Sequence, residues 1–206
     1  MKILVVGGTG IIGREIVDLL SKDHEVIAIG RNGGDYQVNI EDMSSIDKMF
    51  EDLKDVDGII SAAGDANLVP LAQLTEKDLD LAINSKLKGQ INLIRAALNH
   101  VKENGFITVT TGMAVFSPFP GSSAITMACA GLEGFVKVVE LEKERNIRIN
   151  VVRPALVTES AELFGLSMPN TVSASDTAKV YKIVTESEAS GQMIFVPECL
   201  NSIEEK

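Results

Sequence analysis

Short apolar runs of strand length alternate with longer segments of helical spacing along the whole chain, and this alternation limits the fold more than any other feature. The runs that predict strands lie at 3–6, 26–29, 58–61, 105–110, 148–152 and 192–196. Helical spacing covers 13–21, 44–53, 76–100, 123–145 and 175–187, with N-caps predicted at Ser44, Thr75 and Ser175. Strands that are apolar on both faces and alternate with helices indicate a parallel sheet covered on each side. We therefore predict a doubly wound, three-layer α/β/α fold that binds ligands at the carboxyl ends of its strands.

Length and charge narrow the class of protein further. With 206 residues, the chain is expected to form a single domain over 1–206. Its formal net charge of −10 would repel a nucleic-acid backbone or an anionic membrane face, and its apolar runs are too short to cross a bilayer. We therefore expect a cytoplasmic protein with no nucleic-acid or membrane partner. Cys129 and Cys199 lie in no metal-binding pattern, so no metal site is predicted.

A glycine-rich turn follows the first predicted strand. The stretch ILVVGGTGIIGREIV places Gly7, Gly10 and Gly13 between that strand and an amphipathic helix. Glycines at this spacing allow a tight turn, a close backbone approach to a pyrophosphate and close contact between helix and strand. The helix N-terminus adds oriented N–H groups. The turn therefore predicts a dinucleotide site in a Rossmann-like sheet.

The end of the second predicted strand bears on which dinucleotide binds. A site that prefers NAD has a carboxylate there, which accepts a hydrogen bond from the ribose 2′-hydroxyl. This chain instead has Gly30 followed by Arg31, whose guanidinium suits a 2′-phosphate. We therefore predict NADP in preference to NAD. A surface arginine that contacts only solvent is the alternative.

These residues, together with VNIED at 38–42, IISAAG at 59–64 and INVVRPALVTES at 149–160, resemble the short-chain dehydrogenase/reductase family over nearly the whole chain. The resemblance implies that Asn39 stands where the family has an Asp near the adenine. It also implies that SAAG lies beside the adenine ribose and that the RPALVT turn faces the nicotinamide. The predicted cofactor-binding residues are Gly7, Thr9, Gly10, Ile12, Gly13, Arg31, Asn39, Ile40, Ser61, Ala62, Ala63, Gly64, Pro154, Ala155, Val157 and Thr158.

The catalytic half of the family pattern is missing. Family members carry YxxxK on a helix that continues into a run like SKAALEGF, and ACAGLEGF at 128–135 aligns with that run without a gap. This register places Ile125 at the tyrosine position and Cys129 at the lysine position. In the family the tyrosine protonates the carbonyl oxygen, and the lysine holds the ribose and lowers the tyrosine pKa. Isoleucine can do neither, and a cysteine among alanines is expected to be a small buried apolar side chain rather than a reactive thiol.

Three other residues are candidates for the chemistry. The family serine is best matched by Thr111. The family asparagine corresponds to Lys86 when the helix is aligned on Gly89, while Asn84 lies two residues earlier. We hypothesise that Lys86 and Thr111 together polarise a substrate carbonyl, with Lys86 supplying the charge lost at position 129. The alternative is that Lys86 is an ordinary solvated lysine on a helix.

The remaining predictions concern partners and substrate. The helix over 123–145 is apolar on more than one face, which by analogy with related proteins predicts a homodimer or homotetramer through the fourth and fifth helices. Segment 159–174 is the longest predicted loop, and its residues Leu163, Phe164, Leu166 and Met168 suggest an apolar lid over a small-molecule substrate, or a packed loop. Our first functional hypothesis is an atypical NADP-dependent carbonyl oxidoreductase. The second is a non-catalytic NADP-binding sensor, and the third is a structural oligomer.

Overall fold

The computed structural model describes residues 1–165 and 170–204, and in these ranges seven strands form one parallel sheet with the order β3-β2-β1-β4-β5-β6-β7. The strands are β1 (Lys2–Val6), β2 (Glu25–Gly30), β3 (Tyr36–Gln37), β4 (Gly58–Ser61), β5 (Phe106–Thr110), β6 (Arg148–Arg153) and β7 (Met193–Phe195). The helices are α1 (Ile11–Leu20), α2 (Met43–Asp52), α3 (Glu76–Leu81), α4 (Gln90–His100), α5 (Ser123–Glu142), α6 (Thr158–Phe164), α7 (Ala174–Glu186) and α8 (Val196–Glu204). The predicted doubly wound, three-layer fold is confirmed.

Helices cover the two faces of the sheet as separate layers. Alternate residues of β1 point to opposite sides, so Leu4 and Val6 pack towards α2, α4 and α5, while Ile3 and Val5 pack towards α1 and α7. Each of these side chains is at most 2% exposed, and burying one such side chain contributes about 1.5–3 kcal/mol before entropy is counted. Both layers are therefore predominantly apolar.

Two predicted N-caps are wrong and one is confirmed. Thr75 and Asp78 form a reciprocal capping box at the start of α3, as their spacing predicts. The side chains that cap α2 and α7 are Asp42 and Ser173, each two residues before the serine predicted from the sequence. Both segments contain several cap-forming residues in a row, and backbone geometry rather than composition selects among them.

Three elements do not follow from the periodicity of the sequence. Strand β3 has only two residues, too few to show alternation, and pairs with the end of β2. Helix α6 begins at Thr158, so the segment predicted as a continuous loop over 159–174 is helical in its first part. Helix α8 follows β7 directly at Val196.

The structure describes only part of the predicted apolar lid. Leu163 is 70% exposed, whereas Leu166, Met168 and the side chain of Phe164 lie outside the described residues.

The helix predicted over 76–100 is divided into three parts. Between α3 and α4 the chain winds as a π-helix over Ala82–Gly89. Gln90 is fully buried behind this segment: its Nε2 donates to the Lys86 carbonyl oxygen (3.2 Å) and to the Thr110 carbonyl oxygen (2.9 Å), and its Oε1 accepts from the Thr110 N–H (3.2 Å). One amide side chain thus ties the π segment to the end of β5, and π-helical turns are frequent at functional sites.

Candidate cofactor and active site

The turn between β1 and α1 has room for backbone only. Gly7 has φ = +86°, which favours glycine, and a Cβ there would lie 2.7 Å from the carbonyl carbon of Ala62. A Cβ on Gly13 would lie 1.9 Å from the carbonyl oxygen of Gly7. Gly10 is the N-cap of α1 and offers no side chain to its first turn, so the amino end of that helix is open to an anion. These features fit the cradle that a pyrophosphate requires.

A cleft of about 220 Å³ opens beside this turn at the carboxyl ends of β1, β2 and β4. Nine of the predicted cofactor-binding residues line it: Gly7, Thr9, Gly10, Arg31, Asn39, Ile40, Ala62, Ala63 and Gly64. Six further residues line the cleft and were not among those predicted: Val6, Gly30, Val38, Glu41, Asp65 and Ser85. The cleft thus brings together the dinucleotide residues that come from four separate stretches of sequence.

The other predicted cofactor residues lie outside this cleft. Gly13 packs under the turn, Ile12 is half-buried against the α1–α7 layer, and the Ser61 side chain is buried. In the RPALVT turn, Pro154, Ala155 and Val157 are buried, and the Thr158 hydroxyl donates to the Thr171 hydroxyl (3.0 Å). Val157 also forms an isolated parallel bridge with Val172. The RPALVT turn is therefore joined to residues 171–172 by both contacts.

The charge of Arg31 has a protein partner in the cleft. Its Nη2 donates to Oε1 of Glu41 at 3.0 Å, and the Arg31 side chain is 54% exposed. An exposed pair of this kind contributes about 0–1 kcal/mol, so either member can exchange its partner for a ligand at little cost. Arg31 suits a 2′-phosphate, whereas Glu41 could accept from a ribose 2′-hydroxyl. Glu41 belongs to the same VNIED motif as the predicted Asn39 and lies two residues after it, so the motif could have identified it as a candidate.

Lys86 lies beneath the cleft floor. A Cβ on Gly64, whose φ is +107°, would lie 2.9 Å from Cα and 3.0 Å from Cδ of Lys86. The lysine is 6% exposed, and its Nζ has one long contact, 3.5 Å, to the carbonyl oxygen of Ala63. Beside it, Ser85 accepts a hydrogen bond from the N–H of Asp65 at 3.0 Å, which holds the SAAG loop to the π segment. The interpretation of Lys86 as a solvated helix lysine is therefore wrong.

Burial changes the ionisation of Lys86 and of Cys129. Burial lowers the pKa of Lys86, and the nearby Cys129 thiol and Asp65 carboxylate oppose that shift. Burial raises the pKa of Cys129, and the Lys86 charge lowers it again in part. Cys129 is fully buried, as expected of a small apolar side chain, while Ile125 is half-buried one turn earlier. The buried cation therefore comes from the π segment, close to the position where the family has its lysine on α5.

Thr111 belongs to a different group of side chains. Its hydroxyl donates to Oε1 of Glu133 at 3.0 Å, and Arg153 donates to the same carboxylate through Nε (2.8 Å) and Nη2 (2.6 Å). Thr111 and Glu133 are both buried, at 5% and 4% exposure. The carboxylate accepts the hydrogen bond that the Thr111 hydroxyl donates, so the structure does not bring Thr111 and Lys86 together as two donors. Glu133, the single charge in the otherwise small and apolar stretch SAITMACAGLEGF at 123–135, was the signal for this group.

The two tyrosines and His100 make their contacts away from the cleft. The Tyr181 hydroxyl lies 2.6 Å from the Thr110 hydroxyl in the α1–α7 layer, on the opposite face of the sheet from Lys86. Burial raises the pKa of Tyr181. Tyr36 donates to Asp52 at 2.7 Å, and His100 stacks on Phe50 with ring centroids 4.9 Å apart. Asn84 is half-buried on the π segment.

Within residues 1–165 and 170–204, no helix combines the length and the apolar composition of a membrane span.

Comparison with known proteins identifies the family. A family model described as enoyl-(acyl carrier protein) reductase matches residues 16–195. A sepiapterin reductase from Chlorobaculum tepidum is 29% identical over 151 residues, which are 70% of this chain and 62% of that protein. Human dehydrogenase/reductase SDR family member 4 is 22% identical, and the match covers 61% of this chain and 47% of that one. The chain thus spans about half to three fifths of the length of these curated relatives.

Solved structures match this chain over more of its length. The protein lin1944 from Listeria innocua is 35% identical, with a TM-score of 0.90, over 95% of this chain and 99% of that one. A small-chain dehydrogenase in complex with NADPH superposes with a TM-score of 0.84 at 24% identity, over 95% of each chain, which supports the fold. With the family model covering most of its length, this chain belongs to the short-chain dehydrogenase/reductase family of oxidoreductases.

Proposed function

We propose that the protein is an NADP-dependent oxidoreductase that acts on a small carbonyl compound with an active site lacking the tyrosine and lysine pair. One observation carries this proposal: a buried lysine, Lys86, lies beside Cys129, the residue aligned with the family lysine. A buried ammonium with one 3.5 Å contact is costly to keep, so a role at the site accounts for it better than packing does.

The residues divide the work as follows. Gly7, Gly10 and the amino end of α1 would hold the pyrophosphate, and Arg31 would bind the 2′-phosphate. The bound nicotinamide nucleotide supplies hydride. Lys86 adds positive charge under the SAAG loop, where it favours negative charge that develops on an oxygen, and burial lowers its pKa, which makes it a better proton donor than an exposed lysine.

The nucleotide preference can be tested with a matched pair of variants. Arg31→Gln should weaken NADPH binding about 10- to 100-fold, because it removes a charge-assisted hydrogen bond to phosphate. Glu41→Gln should strengthen NADPH binding, because it frees Arg31 from its 3.0 Å ion pair. Thermal unfolding with each nucleotide measures both effects, since ligand at about 100 times its Kd adds about 2.7 kcal/mol. A larger shift with NADH that Glu41→Gln abolishes would show that Glu41 selects NAD.

A non-catalytic NADP-binding sensor is the second candidate, favoured by the apolar Ile125 and buried Cys129 at the family's catalytic positions. An assay of NADPH oxidation with aldehydes, ketones and quinones as substrates distinguishes the enzyme from the sensor. Turnover that Lys86→Met reduces about 100-fold or more supports the enzyme, since a positioned acid contributes about 10²–10⁴. Tight NADPH binding without turnover of any of these compounds supports the sensor.

We also propose a homodimer or homotetramer in the cytoplasm, formed through α4 and α5. On α5, Met127, Val138 and Leu141 are 42%, 49% and 84% exposed, an apolar stripe that a second copy could cover. Sedimentation velocity of Val138→Glu/Leu141→Glu should give a monomer, and an unchanged assembly would refute this interface.

A further inference from the structure

A second polar cluster lies at the strand ends, outside the glycine-turn cleft. The strand-end cluster consists of Thr111, Phe116, Glu133, Arg153 and Phe195. Pairing of Thr110 with Val152 and of Arg153 with Phe195 places its members where β5, β6 and β7 finish. This is the carboxyl edge of the sheet, where ligands bind in folds of this type, and Arg153 is the first residue of the RPALVT turn.

The guanidinium of Arg153 retains unused donors in a fixed orientation. Of its five N–H bonds, Nε–H and one on Nη2 go to Glu133, at 2.8 and 2.6 Å. Nη1 makes no hydrogen bond to any residue of the described ranges. One N–H on Nη1 and one on Nη2 therefore form a free fork along the end of the group. Because Glu133 holds the adjacent Nε/Nη2 edge, this fork loses little further entropy when it binds a ligand.

The charges around the fork favour an uncharged acceptor. Glu133 neutralises the guanidinium and also accepts the hydrogen bond of the Thr111 hydroxyl, and Glu198 is near enough to raise the pKa of Arg153 further. An added carboxylate would meet two negative groups around one positive group. A neutral carbonyl oxygen accepts a hydrogen bond without that repulsion. The raised pKa also means that Arg153 donates hydrogen bonds without releasing its proton.

An exposed aromatic ring adjoins the fork. Phe116 is 49% exposed, packs edge-on against Phe195 with centroids 4.7 Å apart, and has the Arg153 guanidinium 5.7 Å from its centroid. A large apolar side chain left half in water at the mouth of a ligand-binding edge offers stacking surface to a flat group.

We propose that Arg153 is a further substrate-binding residue and that the substrate is an uncharged, planar compound with two neighbouring carbonyl oxygens, one for each prong of the fork, stacked on Phe116. Glu133 is a positioning residue that acts through Arg153. This inference rests on the proposed oxidoreductase function for its reaction, while the binding itself can be measured without turnover.

Calorimetric titration with isatin, a neutral planar vicinal dicarbonyl, tests the proposal on the intact protein with and without NADP⁺. Isatin should bind the parent protein and pyruvate should not. Glu133→Gln/Arg153→Met, which avoids leaving a lone buried carboxylate, should weaken isatin binding about 10- to 100-fold and Phe116→Leu about 3- to 10-fold. The unfolding shift with NADPH should stay unchanged in both variants.

The outcomes separate this inference from the proposed function. If the parent does not bind isatin, if pyruvate binds more tightly, or if the double variant binds isatin as the parent does, the inference is overturned while NADPH-dependent reduction of other carbonyls can stand. If the double variant only unfolds at a lower temperature, with isatin affinity intact, Arg153 is structural. Loss of the NADPH shift in the parent itself would overturn the proposed function instead.

Discussion

Replacement of Lys86 by methionine should make the protein more stable and its cofactor binding weaker. Methionine has a similar length and no charge, whereas the 6% exposed ammonium makes, among the residues that the structure describes, one hydrogen bond, the 3.5 Å contact to the Ala63 carbonyl. A poorly compensated buried polar group costs about 1–3 kcal/mol in proteins, so Lys86→Met should gain about that much at pH 7. For a chain of this size the gain corresponds to a rise in Tm of about 2–12 °C.

The dependence of this gain on pH follows from the sign of the pKa shift. Because burial lowers the pKa of folded Lys86, the unfolded chain binds more protons between the folded pKa and about 10.4, and the parent gains stability as pH rises through that window. The advantage of Lys86→Met should therefore be largest at low pH and shrink towards pH 10. Differential scanning calorimetry from pH 6 to 10 measures it directly.

A matched control lies two residues away on the same π segment. Lys88 is exposed, so Lys88→Met should change stability by no more than about 0.5 kcal/mol and leave the NADPH shift intact. The reasoning fails if Lys86→Met is less stable than the parent at pH 7 and binds NADPH as tightly, because Lys86 would then be a structural residue.

Three further outcomes follow from the geometry. Gly13→Ala places a Cβ 1.9 Å from the Gly7 carbonyl oxygen, so it should cost about 3 kcal/mol or more of unfolding free energy and abolish the NADPH-induced shift in Tm. Gly134→Ala, in open space on α5, should instead stabilise by up to about 1 kcal/mol in the same thermal scan and leave that shift unchanged. Tyr181→Phe should cost about 1 kcal/mol near pH 8 in urea titrations, since it removes the 2.6 Å bond to Thr110. Because the pKa of Tyr181 is raised in the folded protein, the parent loses stability as the pH rises above about 10. The stability difference between the parent and Tyr181→Phe should therefore shrink at pH 11, and a difference that grows there would refute this account.

The sheet and the glycine turn could be predicted because local patterns of consecutive residues encode both features. Buried parallel strands need continuous apolar runs, and the pyrophosphate turn needs glycines at fixed spacing between a strand and a helix. All six predicted strands are therefore found within two residues of their expected ends. The two-residue β3 and the helix α6 carry no such local signal, because each forms only where neighbouring elements supply its partners.

The polar side chains of the candidate site were harder to predict, since they meet only after folding. Glu133 and Arg153 are 20 residues apart and come together because α5 packs against the end of β6. The helical period over 76–100 also gives no indication of a change in winding, and without that change the depth of Lys86 cannot be inferred. Asn39 and Arg31 were identified from their motif, whereas Glu41, the partner of Arg31, was not.

The winding of Ala82–Gly89 also determines which side chain lies under Gly64. A π-helical turn closes its hydrogen bonds five residues apart instead of four, so it carries one more residue than an α-helical turn between the same flanking helices. Deleting one residue here should let an ordinary helix run from Glu76 to His100 and turn a different side chain towards the cofactor cleft. The chain could therefore gain or lose its buried cation by a change of length, with every amino-acid type in the segment otherwise preserved.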